Sequence, residues 1–238
     1  EQVNHPNDVD EIYHVFSASN ISNVFFWSRI FESLSYEKIG FDSIVECGVG
    51  RGRSLLTINQ LLDLYQKIKL FDIDTSQKKT VYGLDSFQGF PKPTKFDYSS
   101  RNPKEGEWSK SPSGKYAYNE IFIRKIFKKA QVTQEYLHLI KGFFKETTLL
   151  LKSKDLKIGI LHLDGDLYES IKQPLLNLSK NVVKGGFIVF DDFILHTDKK
   201  DKFPGSRKAY EEFLIHNKNN YYHFPSVRGN VILKKIRT

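Results

Sequence analysis

Ser43-Ile44-Val45-Glu46-Cys47-Gly48-Val49-Gly50-Arg51-Gly52-Arg53-Ser54 is the stretch that decides the fold. It opens on a short run with two β-branched residues, which reads as a strand buried on both faces. Three glycines then let the backbone turn sharply and approach a ligand with no Cβ in the way. An apolar helical pattern follows to about Tyr65. Strand, Gly-rich turn and helix in that order open a βαβ unit. The free N–H groups at such a helix N-terminus suit an anion. Gly48 and Gly50 are therefore candidate cofactor-binding residues.

Strand and helix patterns go on alternating downstream. Thr80 to Leu84, Leu137 to Ile140, Ile158 to Leu163 and Gly186 to Phe190 read as strands. Tyr118 to Lys129, Tyr168 to Leu178 and Arg207 to Ile215 read as helices. Strands near Tyr221 to Phe224 and Asn230 to Leu233 follow. This alternation predicts a doubly wound α/β fold with a mostly parallel, seven-stranded sheet. Asn23 to Ile39 reads as a helix within an N-terminal extension of about 40 residues. The chain of 238 residues fits one domain spanning 1–238.

Composition narrows the classes. The single cysteine, Cys47, excludes an internal disulfide framework and fits a reducing, cytoplasmic setting. No apolar run approaches the ~20 residues of a membrane span, so no membrane partner is expected. The net charge of +8 comes from scattered lysines, which read as a solvated surface rather than a nucleic-acid stripe. Pro91 to Tyr116 is rich in proline, glycine, serine and lysine around Trp108. A segment that long beside a candidate cofactor strand reads as a lid over the site.

The nature of the cofactor turns on two residues. A dinucleotide fingerprint needs a small third position for close helix–strand packing, and Arg53 stands there. That disfavours a dehydrogenase. Asp85 ends the second strand, where a carboxylate accepts the ribose hydroxyls of a nucleoside. A nucleoside ligand with a carboxylate and no pyrophosphate fits best, and S-adenosylmethionine is such a ligand.

Two acidic pairs end neighbouring strands: Asp164 with Asp166, and Asp191 with Asp192. In a doubly wound sheet both strand ends lie on the edge that carries the Gly-rich loop. Carboxylates so close repel unless a cation joins them, and all-oxygen donors suit Mg²⁺ or Mn²⁺ rather than zinc. His162 sits in an apolar strand and reads as a core residue. His196 follows the second pair and is a candidate substrate contact.

Several of these segments resemble the macrocin O-methyltransferase family. They are Glu46-Cys47-Gly48-Val49 with Gly52 and Ser54, Gly83 to Pro91, Leu163 to Ser170, Gly185-Gly186 and Asp191-Asp192. The resemblance runs from about Ser43 to Phe213. It implies a Rossmann-like class I methyltransferase fold and an S-adenosylmethionine-dependent O-methyltransferase acting on sugar hydroxyls. It implies that Glu46, Gly48 and Ser54 line the methionine end of the cofactor, and that Asp85, with Ser86 nearby, holds the ribose. Asp164, Asp191 and Asp192 would bind the divalent cation and Asp166 would be the general base. Some relatives carry a histidine three residues after the first metal aspartate. Leu167 stands there, which leaves Asp166 as the nearby candidate.

Two other readings remain open at this point. One is a methyltransferase of small catechols. The other is a non-catalytic nucleic-acid-binding protein, prompted by the charge, although clustered aspartates would repel phosphate. The sugar or glycoside acceptor, the position methylated and the oligomeric state, a homo-oligomer included, are open too.

Overall fold

The computed structural model describes residues 18–68, 79–195 and 201–237. Among them, seven strands form one sheet: β1 (Ser43–Cys47), β2 (Thr80–Asp85), β3 (Leu137–Lys141), β4 (Ile158–Leu163), β5 (Val182–Ile194), β6 (Tyr221–His223) and β7 (Asn230–Lys235). Six helices accompany them: α1 (Ala18–Tyr36), α2 (Arg53–Lys67), α3 (Glu120–Lys129), α4 (Phe144–Lys152), α5 (Tyr168–Leu178) and α6 (Pro204–Asn217). The strand order is β3-β2-β1-β4-β5-β7-β6. The first five strands run parallel, and β7 lies antiparallel to both β5 and β6.

Alternation along the strands sends successive side chains to opposite faces. Ile44, Ile160 and Phe187 pack with Trp27, Phe31, Ile58 and Phe127 from α1, α2 and α3. Their neighbours Val45, Leu161 and Ile188 pack on the other face with Leu151, Ile171, Leu175 and Tyr210 from α4, α5 and α6. Each such side chain contributes roughly 1.5–3 kcal/mol when fully buried. This is the doubly wound arrangement expected from the alternating pattern.

Three elements differ from the sequence-based expectation. α1 starts and stops earlier than Asn23 to Ile39, because Lys38 takes a left-handed φ of 53° just past its end. α4 was not anticipated. It has nine residues, and its N-cap, Phe143, makes no side-chain cap bond, so no start signal announces it. β5 runs past Phe190 through both acidic residues to Ile194. No helix of the described residues is long and apolar enough to cross a membrane.

The chain order reverses between β1 and β4, which are adjacent but far apart in sequence. A crevice opens at such a point beyond the strand ends, and here it is flanked by the Gly-rich loop and Asp164.

Candidate active site

The turn after β1 is set by close approach. Gly48 has φ 100°, and a Cβ there would lie 1.8 Å from the Asp164 carbonyl oxygen. Only glycine lets the loop cross the end of β4. Gly48 N–H donates to Leu84 O and Asp164 N–H to Cys47 O, both at 2.9 Å, which ties the ends of β1, β2 and β4 together. α2 then begins after Gly52 with no side-chain cap, so its first N–H groups have no such acceptor.

Asp85 closes this loop from below. Its Oδ2 accepts from the N–H groups of Val49 and Gly50, both at 2.9 Å, and its Oδ1 accepts from Phe87 N–H at 2.7 Å. Sequence reasoning assigned it to a ribose. Here it first organises the Gly-rich turn, and Oδ1 keeps one lone pair beyond its single bond. Ser86 Oγ donates to Gly89 O at 2.8 Å and shapes the next turn.

Gly48, Gly50, Ser54, Asp85 and Ser86 line a cavity of about 1160 Å³, together with Asp164, Asp166, Asp191 and Asp192. Glu46 does not line it. It is fully buried on β1, and its Oε1 accepts from Ser54 Oγ at 3.0 Å. Its Cα partner across the β1–β4 ladder is His162, so both side chains point to the same sheet face rather than to the strand ends. Glu46 therefore stands behind the cavity wall, against Ser54 and His162. His196 lies outside the described residues.

His162 joins Glu46 to the acidic cluster. Its Nδ1 lies 3.4 Å from Glu46 Oε2 and its Nε2 lies 4.0 Å from Asp191 Oδ1. The ring is 1% exposed, with the Trp27 ring edge-on at 4.8 Å. Burial alone would discharge the imidazole. Asp191 and Glu46 override that and raise its pKa to about 10. It is a core residue, as expected, set between two carboxylates. Cys47 is buried and its thiol is pushed up by burial, so it is no nucleophile.

The four aspartates differ in electrostatic setting. Burial would raise Asp191, but His162, then Arg228 and Arg53, hold it at about 2. Arg228 pairs with it at 3.0 Å. Asp164 is raised by burial and then by the charges of Asp191 and Asp192. Asp192 is raised by burial and by Asp166 and Asp191. Asp166 is raised to about 8 by burial and by Asp164. It also adopts a left-handed φ of 60°, so the unusual backbone sits on the aspartate itself and not on Gly165. Its N–H donates to Asp192 Oδ2 at 2.9 Å, which also accepts from Ser206 Oγ at 3.2 Å. Two neighbouring strand ends and the start of α6 thus fix where Asp166 stands.

The segment expected to be a lid, 91–116, is anchored near its start. Thr94 caps a 3₁₀ turn at Lys95–Asp97. Asp97 is 1% exposed. Its Oδ2 accepts from Thr94 N–H and Oγ1, and its Oδ1 accepts from Tyr168 N–H, the first residue of α5, at 2.7 Å. A Cβ on Gly205 would lie 1.9 Å from that oxygen, so glycine is required at the start of α6. Replacing Asp97 by alanine leaves one buried and one part-buried N–H group unmatched, and stability should fall by roughly 1–3 kcal/mol. Denaturant unfolding measures this; an unchanged midpoint would mean the segment is anchored elsewhere.

A sequence model of the family described as Macrocin-O-methyltransferase (TylF) matches residues 28–218. The chain belongs to the macrocin O-methyltransferase family. Within that family, the demethyldecarbamoylnovobiocin O-methyltransferase of Streptomyces niveus is 28% identical over 168 residues, 71% of this chain and 59% of the relative. The mycinamicin III 3''-O-methyltransferase of Micromonospora griseorubida is 25% identical over 178 residues, again 71% and 59%. The chain thus spans 59% of the length of these curated relatives. Among solved structures, the O-methyltransferase NovP superimposes with a TM-score of 0.68 at 23% identity, covering 91% of this chain and 81% of that one. CalS11, a calicheamicin methyltransferase, gives 0.72 at 19%, covering 97% and 87%. These likenesses show the shared fold.

Seen as a macrocin O-methyltransferase family site, the cavity contains groups that sequence reasoning left without a role. Arg53, treated above only as a bulky residue, lines it beside Arg51. Burial, then the charges of Arg51 and Arg228, lower its pKa, so cations crowd the N-terminus of α2. Asp97 and Arg228 each carry a structural bond into the site but belong to no Gly-rich or acidic motif that would single them out.

Proposed function

We propose that this protein is an S-adenosylmethionine-dependent O-methyltransferase whose acceptor is a sugar hydroxyl on a small-molecule glycoside. The observation that carries the reading is a single cavity at the sheet's reversal point that joins the Asp85-organised Gly-rich loop to four aspartates. The cofactor fits the chain's residues. The remaining Oδ1 lone pair of Asp85 suits a ribose hydroxyl. Phe143, just beyond the β3 residue that pairs with Asp85, gives an apolar wall for a base. The α2 N-terminus with Arg51 and Arg53 suits a carboxylate.

The acidic donors also fit a hard divalent cation. Asp164 and Asp192 are oxygen donors whose pKa values are raised by burial and mutual charge, and added positive charge relieves both. Among the described residues no three His, Cys, Asp or Glu side chains stand as a ready-made ligand set. Asp164, Asp191 and Asp192 are the residues that would hold Mg²⁺ or Mn²⁺. When bound, S-adenosylmethionine supplies an electrophilic methyl group, and the cation supplies charge that acidifies a hydroxyl.

The chain's own residues do the rest. They hold the acceptor oxygen in line with the methyl carbon, which is worth up to roughly 7–11 kcal/mol in ideal cases. The Asp166 carboxylate would take the proton of the acceptor hydroxyl. An alkyl hydroxyl is about as weak an acid as water, pKa about 15.7, against ~3.9 for an ordinary aspartate. Burial pushes the Asp166 carboxyl up, which narrows that gap.

S-adenosylhomocysteine should bind in calorimetry. The Asp85→Ala variant should bind it about 10- to 100-fold more weakly, matching the loss of one or two charge-assisted hydrogen bonds. Wild-type protein that binds neither S-adenosylhomocysteine nor S-adenosylmethionine would overturn the reading. Equal affinity in the variant would remove Asp85 from the cofactor site.

A further inference from the structure

Trp108 stands in a conformation that bulky residues avoid. Its φ is 66°, in the left-handed region. Hydrogen bonds on both sides keep it there. Phe90 N–H donates to Glu107 O at 2.9 Å and Gly106 N–H to Phe90 O at 3.0 Å. Beyond the tryptophan, Tyr118 N–H donates to Ser109 O at 3.0 Å, and Ser109 Oγ reaches back to Gly106 O at 2.9 Å. The Glu107 side chain is ion-paired with Arg101 at 2.6 Å. The strained residue lies between these ties, in a segment anchored at the buried Asp97.

The indole is not taken into the core in return. It is 53% exposed and lines the cavity, whereas Trp27, the other tryptophan of the chain, is fully buried. Strain maintained at the rim of a cavity, with the ring left open, fits a binding role better than a packing one. The ring lines the same cavity as Asp164, Asp166, Asp191 and Asp192.

An indole offers a flat π-face and one N–H donor. The chemistry it recognises is a flat ring with polarised C–H bonds on one face and hydroxyls at its edge. The four aspartates take hydroxyls, so a pyranose fits between them and the indole. We propose that Trp108 is the platform on which the acceptor's sugar ring stacks, and that it sets acceptor affinity. This rests on the glycoside reading above and adds the residue that recognises the ring.

The test uses the full chain and the fact that one tryptophan is buried and the other exposed. Acrylamide quenching of intrinsic fluorescence reports Trp108. Methyl α-L-rhamnopyranoside, methyl β-D-glucopyranoside and their phenyl counterparts are titrated with and without S-adenosylhomocysteine. Saturable protection by at least one glycoside, absent in Trp108→Leu, is the expected result. In turnover with that glycoside, Trp108→Leu should raise KM about tenfold or more and leave kcat within about threefold, while Trp108→Phe restores most of the affinity. Trp108→Gly separates binding from packing. Glycine accepts φ 66°, so its thermal midpoint should equal or exceed that of wild type while KM rises. No protection by any glycoside, an unchanged KM in Trp108→Leu, or a lowered midpoint in Trp108→Gly would each overturn the platform. Cofactor calorimetry on the same samples is a separate readout: sugar protection without cofactor binding would sink the methyltransferase reading and leave the platform standing.

Discussion

In Asp166→Asn, turnover is expected to fall by roughly 10²–10⁴, the usual contribution of a general base. The substitution suits the position. Asparagine is among the few residues that accept a left-handed φ, so the backbone at 60° is kept. The N–H bond to Asp192 Oδ2 does not involve the side chain and is kept as well. Affinities for S-adenosylhomocysteine and for metal should stay within a few-fold of wild type, because an amide keeps size and polarity and loses only the ability to take a proton. Single-turnover rates beside calorimetry separate the cases. A collapse of metal affinity along with turnover would make Asp166 a ligand. A turnover close to wild type would show that solvent takes the proton.

Exhaustive chelation is expected to abolish turnover, with Mg²⁺ or Mn²⁺ restoring it. Lewis-acid assistance is worth several kcal/mol, so Asp192→Asn should lose on the order of 10²–10³ in rate at ordinary metal concentrations. Cofactor binding should survive, since the Gly-rich loop is organised by Asp85. Asp191→Asn should behave similarly for a second reason. Asp191 is the member of the cluster paired with Arg228 and facing His162, and its neutralisation leaves them without their shared carboxylate. Full activity after chelation would mean that the cluster holds no catalytic cation.

How much was legible in the sequence follows from where the information sits. β1, β4 and the centre of β5 announce themselves because strands buried on both faces are mostly apolar, and the Gly48 turn and the acidic pairs follow those apolar runs. The burial of Glu46 behind the cavity wall was not legible from the motif, which draws attention to its neighbours in sequence. Period-2 alternation puts it on the face of Ile44 and away from the strand end, and its register partner His162 confirms that face. The anchor of segment 91–116 was not legible. Asp97 sits in a polar, proline-rich stretch, and its helix-capping partner Tyr168 is 71 residues away. Arg53 was legible only as a misfit to another fingerprint, because the charges around it come from Arg51 and the distant Arg228.

Arg228 lies beyond residues 28–218, which carry the family match, in the turn that leads into β7. A ribosome makes Asp191 37 residues before the guanidinium that balances it. Until that hairpin has emerged, the nascent chain carries a buried carboxylate short of one of its cations, next to a β5 edge with no β7 to cover it. The last stretch of the sheet to be synthesised is therefore also what completes the acidic site, and truncating it would cost the site before it cost the Gly-rich loop.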